Sequence, residues 1–517
     1  LKPATPRADP ARGNGGVTFP GAPAYFAADY GKIRRATRND AIMYINGTWA
    51  TAPANASFDV LNPATGETIR QVPDGGTEAA RAAIDAAADA FPAWKATTAY
   101  QRAEFLMRAH ALMLERQEAL ARVMTEEQGK PLRAAMTEVK YAADFLAWFA
   151  EEGKRVYGEI IPSARADQRF FVLHQPVGVV AAITPWNYPI SMITRKVGPA
   201  LAAGCTVVLK PAEATPLTAI ETFKLFEDAG LPQGVVNLVT GADPKPIGEE
   251  FVSNPKVRKL TFTGSTAVGK MLAGRAAANM KRVSCELGGH APFIVLADAD
   301  PEHAAKGLQL VKFLNTGQAC ISPNRIYVHR KALDGFRQTL TGRVSKMKAG
   351  NGFEQGVTIG PLVNEAAVAK VDAQVRDAVA KGADVLCGGH RLIEDGLDKG
   401  HFYAPTVLSN VTPDMLIYRE ETFGPVAAVV PFDDEDDVLA MANDTHYGLA
   451  AYIYSQNLTQ SMRLFEGLEF GIVGINDINP ASAAAPFGGM KDSGLGREGS
   501  REGIHEYLET KVGGFSI

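Results

Sequence analysis

The chain has 517 residues, 46% hydrophobic and 21% charged, with a formal net charge of −4; one hydrophobic core does not serve that length, so at least two domains are expected. No basic excess invites nucleic acid, and no apolar run nears the about 20 residues of a membrane span. Four cysteines in so long a chain build no disulfide framework, which points to a reducing, cytoplasmic setting. Residues 1–40, rich in Pro, Gly, Ala and Arg, lack a signal-peptide core and are expected to be a flexible extension. Their arginines suggest a transit peptide, but Asp9, Asp29 and Asp40 count against one. Met43-Tyr44-Ile45 before Asn46-Gly47 predicts a strand turning back in a hairpin. Residues 77–153 read as helices at 80–91, 100–127 and 132–151, broken at Pro92 and at Gly129-Lys130-Pro131.

From Val177 the texture changes to short apolar runs, at 177–183, 206–209, 235–239, 259–262 and 293–296, separated by helical segments. That pattern predicts a parallel sheet covered on both faces. A second set, at 325–328, 383–386, 426–430, 450–454 and 471–475, predicts another α/β layer, with the boundary near Leu287-Gly288-Gly289. Segment 159–176, containing Phe170-Phe171-Val172-Leu173, predicts a hairpin standing apart, either for subunit association or as an ordinary edge.

Several motifs carry chemistry. Thr263-Gly264-Ser265 follows a strand and opens a helix, where free backbone N–H groups and the helix dipole suit a pyrophosphate. With Lys270 the stretch nearly spells a nucleotide-triphosphate P-loop, but Met271 stands where a metal-binding hydroxyl is required. Lys210-Pro211-Ala212-Glu213 ends another apolar strand, where parallel sheets place ligands; Lys210 and Glu213 there suit ribose hydroxyls. No metal-ligand spacing occurs, and His290 has no partner for one, so no metal is assigned. Among the cysteines, Cys205 and Cys387 read as small buried hydrophobes. If Glu286 faces a cleft, its strand neighbour Cys285 faces away. Cys320 follows Gly317-Gln318 in a loop that could end at a helix start, a position that would lower a thiol pKa. Cys320, Glu286 and Asn187 together supply a nucleophile, a base and an oxyanion donor.

The chain resembles the aldehyde dehydrogenase superfamily from about residue 43 to its C-terminus. The resemblance rests on Pro185-Trp186-Asn187, Lys210-Pro211-Ala212-Glu213, Phe262-Thr263-Gly264-Ser265, Glu286-Leu287-Gly288-Gly289, Gly317-Gln318-Ala319-Cys320, Glu421-Thr422-Phe423-Gly424-Pro425 and Pro486-Phe487-Gly488-Gly489. Thr358-Ile359-Gly360-Pro361-Leu362 and the stretch Ser493 to Ser500 look most like the succinate-semialdehyde dehydrogenase branch.

The resemblance implies an α/β fold with a Rossmann-type cofactor domain (41–158 and 177–286), a catalytic domain (287–475) and a small β oligomerisation element (159–176 and 498–517), assembled as a homodimer or homotetramer. It implies Cys320 as nucleophile, Glu286 as base, and Asn187 with the Cys320 N–H as oxyanion hole. The implied cofactor site comprises Ile183, Thr184, Pro185, Trp186, Lys210, Glu213, Gly264, Ser265, Leu287, Glu421 and Phe423. Arg195, Leu314 and Ser482 are the implied substrate contacts.

Departures qualify the match. Semialdehyde-oxidising relatives typically carry an arginine where this chain has Leu314, so half of a carboxylate clamp is expected to be missing, with Arg195 as the other half. Ser322 replaces a second cysteine, so no local disulfide switch is expected. Glu213 repels a 2′-phosphate, so NAD is expected over NADP. Two rivals stand beside the hydrolytic aldehyde dehydrogenase: a coenzyme A-acylating relative, against which Glu286 argues, and a silent dinucleotide-binding scaffold, against which the complete Cys320/Glu286/Asn187 set argues.

Overall fold

The structure, a computed structural model, describes residues 43–52 and 56–517; the extension expected at 1–40 lies outside them. Its larger sheet has eight strands, in spatial order Thr48–Ala50, Met43–Ile45, Val236–Leu238, Thr206–Lys210, Val179–Ile183, Val257–Thr263, Arg282–Glu286 and Gly494–Leu495. The strands from Val236–Leu238 through Arg282–Glu286 run parallel. Chain order reverses between Val179–Ile183 and Val257–Thr263, so the loops leaving their carboxyl ends diverge and leave a crevice. Ile183 pairs with Lys210 and Thr263 with Glu286, which brings these motifs to one sheet edge.

A seven-stranded sheet follows, in order Asp384–Cys387, Thr406–Ser409, Val426–Phe432, Pro323–His329, Ala291–Val295, Ala450–Tyr454 and Ile472–Ile475. All its pairings are parallel except the first. Gly288-Gly289, Cys320 and Glu421–Phe423 precede three neighbouring strands, so the amino edge of this sheet meets the carboxyl edge of the other. The run at 293–296, read with the first sheet from its texture, belongs here as Ala291–Val295.

The hairpin at Asn46-Gly47 forms as expected, with both residues at positive φ. Pro92 does not end its helix, which spans Gly76–Lys95; a proline near the C-terminus forfeits one backbone bond while buried Trp94 anchors the last turn. The single helix expected over 100–127 is two, Ala99–Glu115 and Gln117–Gln128, meeting at Arg116. A hairpin of Ser57–Leu61 and Thr68–Pro73 had no counterpart among the expected elements. The segment at 159–176 is a hairpin, Glu159–Pro162 with Gln168–Pro176, and Leu508–Ser516 pairs along it to make a separate three-stranded sheet.

Candidate active site

The approach to Cys320 is an unusual stretch of backbone. After the helix Pro301–Lys312, Asn315, Thr316 and Gly317 lie in succession at φ of 49°, 60° and 76°. Non-glycine residues seldom occupy that region, and such strain persists only where the surroundings hold it. Here Thr316 Oγ1 donates to the Gly360 carbonyl (3.1 Å), Gln318 Nε2 to that of Pro361 (3.2 Å), and Val363 N–H to Gln318 Oε1 (3.0 Å). A Cβ on Gly317 would lie 2.1 Å from the Gly424 carbonyl oxygen, so glycine is required there. These ties explain physically why the stretch Ile359-Gly360-Pro361-Leu362 accompanies the cysteine loop.

Cys320 is half-buried and lines two cavities at once. The first, about 310 Å³, lies between the sheet edges and includes Trp186, Asn187, Gly264, Ser265, Glu421 and Phe423. The second, about 250 Å³, opens on the other side of the thiol, walled by Tyr188, Arg195, Leu314, Ile321, Ala481 and Phe487. Asn187 Nδ2 donates to the Gln318 carbonyl (3.1 Å), leaving one amide hydrogen uncommitted, and its Oδ1 has no partner. Gly289 packs so closely on the cysteine that a Cβ there would meet the Cys320 carbonyl oxygen at 2.3 Å.

Glu286 is buried, and neither carboxylate oxygen has a hydrogen-bond partner. Burial pushes its pKa up to about 8, against the opposing pull of Arg195. The Cys320 thiol is also pushed up, by burial first and then by the nearby Glu286 charge. This corrects the expected lowering: no helix starts at Cys320, which sits in a turn before the strand Pro323–His329, so no helix dipole reaches the sulfur. Cys285 faces the opposite side of its strand, among Leu260, Leu272 and Ala276.

The first cavity suits a dinucleotide. Ser265 precedes the helix Thr266–Ala277 without capping it, so its hydroxyl and the first N–H groups are available to an anion. Thr422 Oγ1 is buried without a partner, as is Asn187 Oδ1. Trp186 and Phe423 meet edge to face at 5.6 Å. Pro185 and Leu287 also line this cavity, whereas Ile183, Thr184, Lys210 and Glu213 do not; Ile183 and Lys210 pair at the ends of neighbouring strands. Thr184 N–H donates to the Lys210 carbonyl (3.1 Å), and Lys210 Nζ lies 3.5 Å from the half-exposed Glu213 carboxylate. Glu421 accepts from Gly289 N–H at 2.9 Å, and burial raises its pKa to about 7. Lys270 pairs with Asp492 at the surface, which removes it from any phosphate and ends the P-loop reading.

Around the second cavity, Arg195 is buried and ion-paired with Glu498 at 2.7 Å, its guanidinium carbon 4.0 Å from the centroid of the Phe487 ring. Lys196 Nζ contacts the same Glu498 at 2.5 Å and Thr263 Oγ1 at 2.6 Å. Against the upward push of burial, Lys196 and Arg195 hold the Glu498 carboxyl below its usual range. Leu314 is exposed at the cavity wall. Ser482 is not brought in: it is exposed, its carbonyl closing a turn with Ala485 N–H, and Asn479 and Ala481 face the cavity instead. Glu498, Lys196, Lys130 and Glu138 escaped the sequence reading, for buried charge is invisible until the fold gathers its partners. His290 Nε2 donates to the Tyr418 carbonyl (2.7 Å), a structural bond, and among the described residues no group of His, Cys, Asp or Glu is arranged to hold a metal.

A profile of the aldehyde dehydrogenase family matches residues 49–512. The chain is 53% identical over 467 residues to succinate-semialdehyde dehydrogenase [NADP(+)] of Escherichia coli (strain K12), covering 90% of this chain and 96% of that protein. It is 52% identical over 468 residues to glutarate-semialdehyde dehydrogenase of Pseudomonas putida, with the same coverage. A crystal structure of an E. coli NADP-dependent enzyme superposes with a TM-score of 0.91 at 51% identity, covering 94% of this chain and all of the other.

Proposed function

This chain belongs to the aldehyde dehydrogenase family, and from that premise we propose that it oxidises short aliphatic semialdehydes to carboxylic acids with NAD(P), through an acyl group carried on Cys320. The observation that carries the reading is the position of Cys320 at the junction of two cavities, one suited to a dinucleotide and one holding a buried arginine. In this reading the Cys320 thiol first loses its proton to solvent water, and the sulfur, now a thiolate, adds to the aldehyde carbon while the carbonyl electrons move to oxygen. Asn187 Nδ2 and the Cys320 N–H stabilise that oxyanion, a role whose loss costs roughly 3 kcal/mol per donor. A nicotinamide coenzyme in the first cavity supplies the hydride acceptor. The carbon left on sulfur is a thioester. Glu286 takes a proton from water, the hydroxide adds to the thioester, the C–S bond breaks, and Cys320 leaves as thiolate. A carboxyl titrating near neutrality suits that task, and transfer to water makes the enzyme non-acylating.

The domain reading follows: 41–158 with 177–286 holds the dinucleotide, and 287–475 carries the nucleophile. Segments 159–176 and 498–517 join subunits into a homodimer or homotetramer, supported by Leu173, Val512 and Phe515 exposed on the three-stranded sheet. A reducing, cytoplasmic setting is part of the same proposal, since four cysteines in 517 residues are too few for a disulfide framework. For the coenzyme, the preference for NAD expected from Glu213 has little support, because Lys210 offsets that carboxylate and the E. coli relative carries NADP(+) in its name.

Steady-state kinetics on succinate semialdehyde, glutarate semialdehyde and a neutral aliphatic aldehyde, each with NAD and with NADP, test the reading. The semialdehydes should give the larger kcat/KM, with free acid as product. Acyl-CoA formation on adding coenzyme A, or no reduced coenzyme with any aldehyde, would overturn it.

A further inference from the structure

Lys130 and Glu138 form an ion pair that is almost wholly buried, in the wall of the second cavity. Nearly every remaining interaction of the pair falls on one short segment. Lys130 Nζ donates to the Asn187 carbonyl at 2.8 Å and lies 4.2 Å from the centroid of the Tyr188 ring. Glu138 Oε1 accepts from Ile190 N–H (3.2 Å), Ser191 N–H (3.3 Å) and Ser191 Oγ (3.4 Å). Asn315 Nδ2, from the strained loop before Cys320, donates to the same Asn187 carbonyl at 2.8 Å.

An ammonium has three N–H bonds. Glu138, the Asn187 carbonyl and the Tyr188 ring take all three directions, so Lys130 has none left for a substrate anion. A buried ion pair is a weak source of stability, since apolar replacements of like size are often no less stable; its attested use is fixing geometry. The Gln128–Pro131 turn is itself fixed. Gln128 Oε1 accepts from Lys130 N–H, and a Cβ on Gly360 would meet the Gly129 carbonyl at 2.3 Å.

We propose that the Lys130–Glu138 pair positions Asn187, clamping segment 187–191 from both sides so that the side-chain amide stays aimed at the oxyanion forming on the Cys320 adduct. This rests on the reading of Asn187 as oxyanion donor. Both residues are positioning residues. A misplacement of about 1 Å at such a donor can cost roughly 100-fold in rate.

The test is a mutant cycle. Lys130→Met/Glu138→Gln removes both charges together, because removing one strands the other in the interior. Lys130→Gln/Glu138→Gln, which also leaves no stranded charge, is the second variant should the first not fold. Each is made with Asn187 present and with Asn187→Ala, and kcat/KM is expressed per NADPH-binding site from fluorescence titration, which discounts misfolded protein. With Asn187 present, kcat/KM should fall about 10- to 100-fold, through kcat, with coenzyme KM unchanged. In the Asn187→Ala background the same changes should cost no more than about threefold, since there is no amide left to aim. Equal losses in both backgrounds, or no loss per site in the first, would overturn the positioning role while leaving Asn187 in place. Undiminished activity of Asn187→Ala itself would instead remove the oxyanion assignment and this proposal with it.

Discussion

Glu498 Oε2 lies 2.7 Å from Arg195 Nε, so the guanidinium expected to meet a substrate carboxylate already carries a carboxylate partner. Lys196 contacts the other Glu498 oxygen, and a single carboxylate therefore serves two buried cations beside the substrate cavity. Arg195 thus shares its charge with Glu498, although its Nε and Nη2 make no hydrogen bond, and with Leu314 at the wall no second arginine lines the cavity.

Leu314→Arg should therefore raise discrimination. A charge-assisted hydrogen bond contributes roughly 1.5–3 kcal/mol net, so kcat/KM for succinate semialdehyde relative to a neutral aldehyde of equal length should rise by at least about tenfold. Leu314 is exposed, so the long side chain can be accommodated without repacking a core. A ratio that does not move would mean that the tail of the substrate never passes residue 314.

The pH dependence of turnover should report Glu286. Burial favours its neutral form, so with a pKa of about 8 it is largely protonated at pH 7 and cannot accept a proton from water. Thioester hydrolysis should thus accelerate as pH rises through about 8 and level off above it. Glu286→Gln should release one equivalent of reduced coenzyme in a burst and then stall, and quenched-flow measurement of the acyl-enzyme checks this. Steady turnover by that variant would strip Glu286 of the role.

For the free enzyme, the raised thiol pKa predicts slow alkylation. Burial and the adjacent carboxylate both disfavour the thiolate, which is the reactive form. Iodoacetamide inactivation, followed by residual activity, should still be accelerating at pH 9, and Glu286→Gln should react faster than the parent at that pH because one negative neighbour is gone. A plateau below pH 7 would show an activated thiolate already present. Cys320→Ala should lose oxidation altogether while binding NADPH normally.

What the sequence disclosed follows from where the information lies. The strands at 206–210 and 257–263 are legible because continuous apolar runs between turn residues have few other solutions, and the Asn46-Gly47 hairpin because both residues tolerate positive φ. The break at Arg116 was hidden because the residues on either side, Glu115 and Gln117, continue a helical pattern; the interruption is a local backbone turn at good helix formers. Pro92 misled in the other direction, since a proline's cost falls where few bonds remain to lose. At the site, Cys320, Glu286 and Asn187 stood out as motifs. Glu498 and the Lys130–Glu138 pair did not, because a charged residue on a helix looks like a solvated one until the packing that buries it is known. The thiol's pKa is hidden for the same reason: a Gly-Gln turn does not reveal whether a helix or a strand comes next.

Coenzyme choice can be shifted at Glu213, whose carboxylate stands half-exposed 3.5 Å from the buried Lys210 ammonium. Burial lowers the Lys210 pKa and the Glu213 carboxylate partly restores it. A 2′-phosphate arriving at the ribose site meets repulsion from Glu213 and attraction from Lys210, while a free 2′-hydroxyl gains a hydrogen-bond acceptor from Glu213. Glu213→Gln keeps the shape and removes the repulsion. An exposed charge interaction is worth at most about 1 kcal/mol, so the ratio of kcat/KM with NADP to that with NAD should rise by no more than about fivefold, chiefly through KM for NADP. Raising ionic strength should shrink the difference between the two enzymes, as screening weakens the term that the substitution removes. A ratio shifted toward NAD would mean that Glu213 acts only by holding Lys210 in place, and that the lysine, freed from its partner, no longer reaches the phosphate.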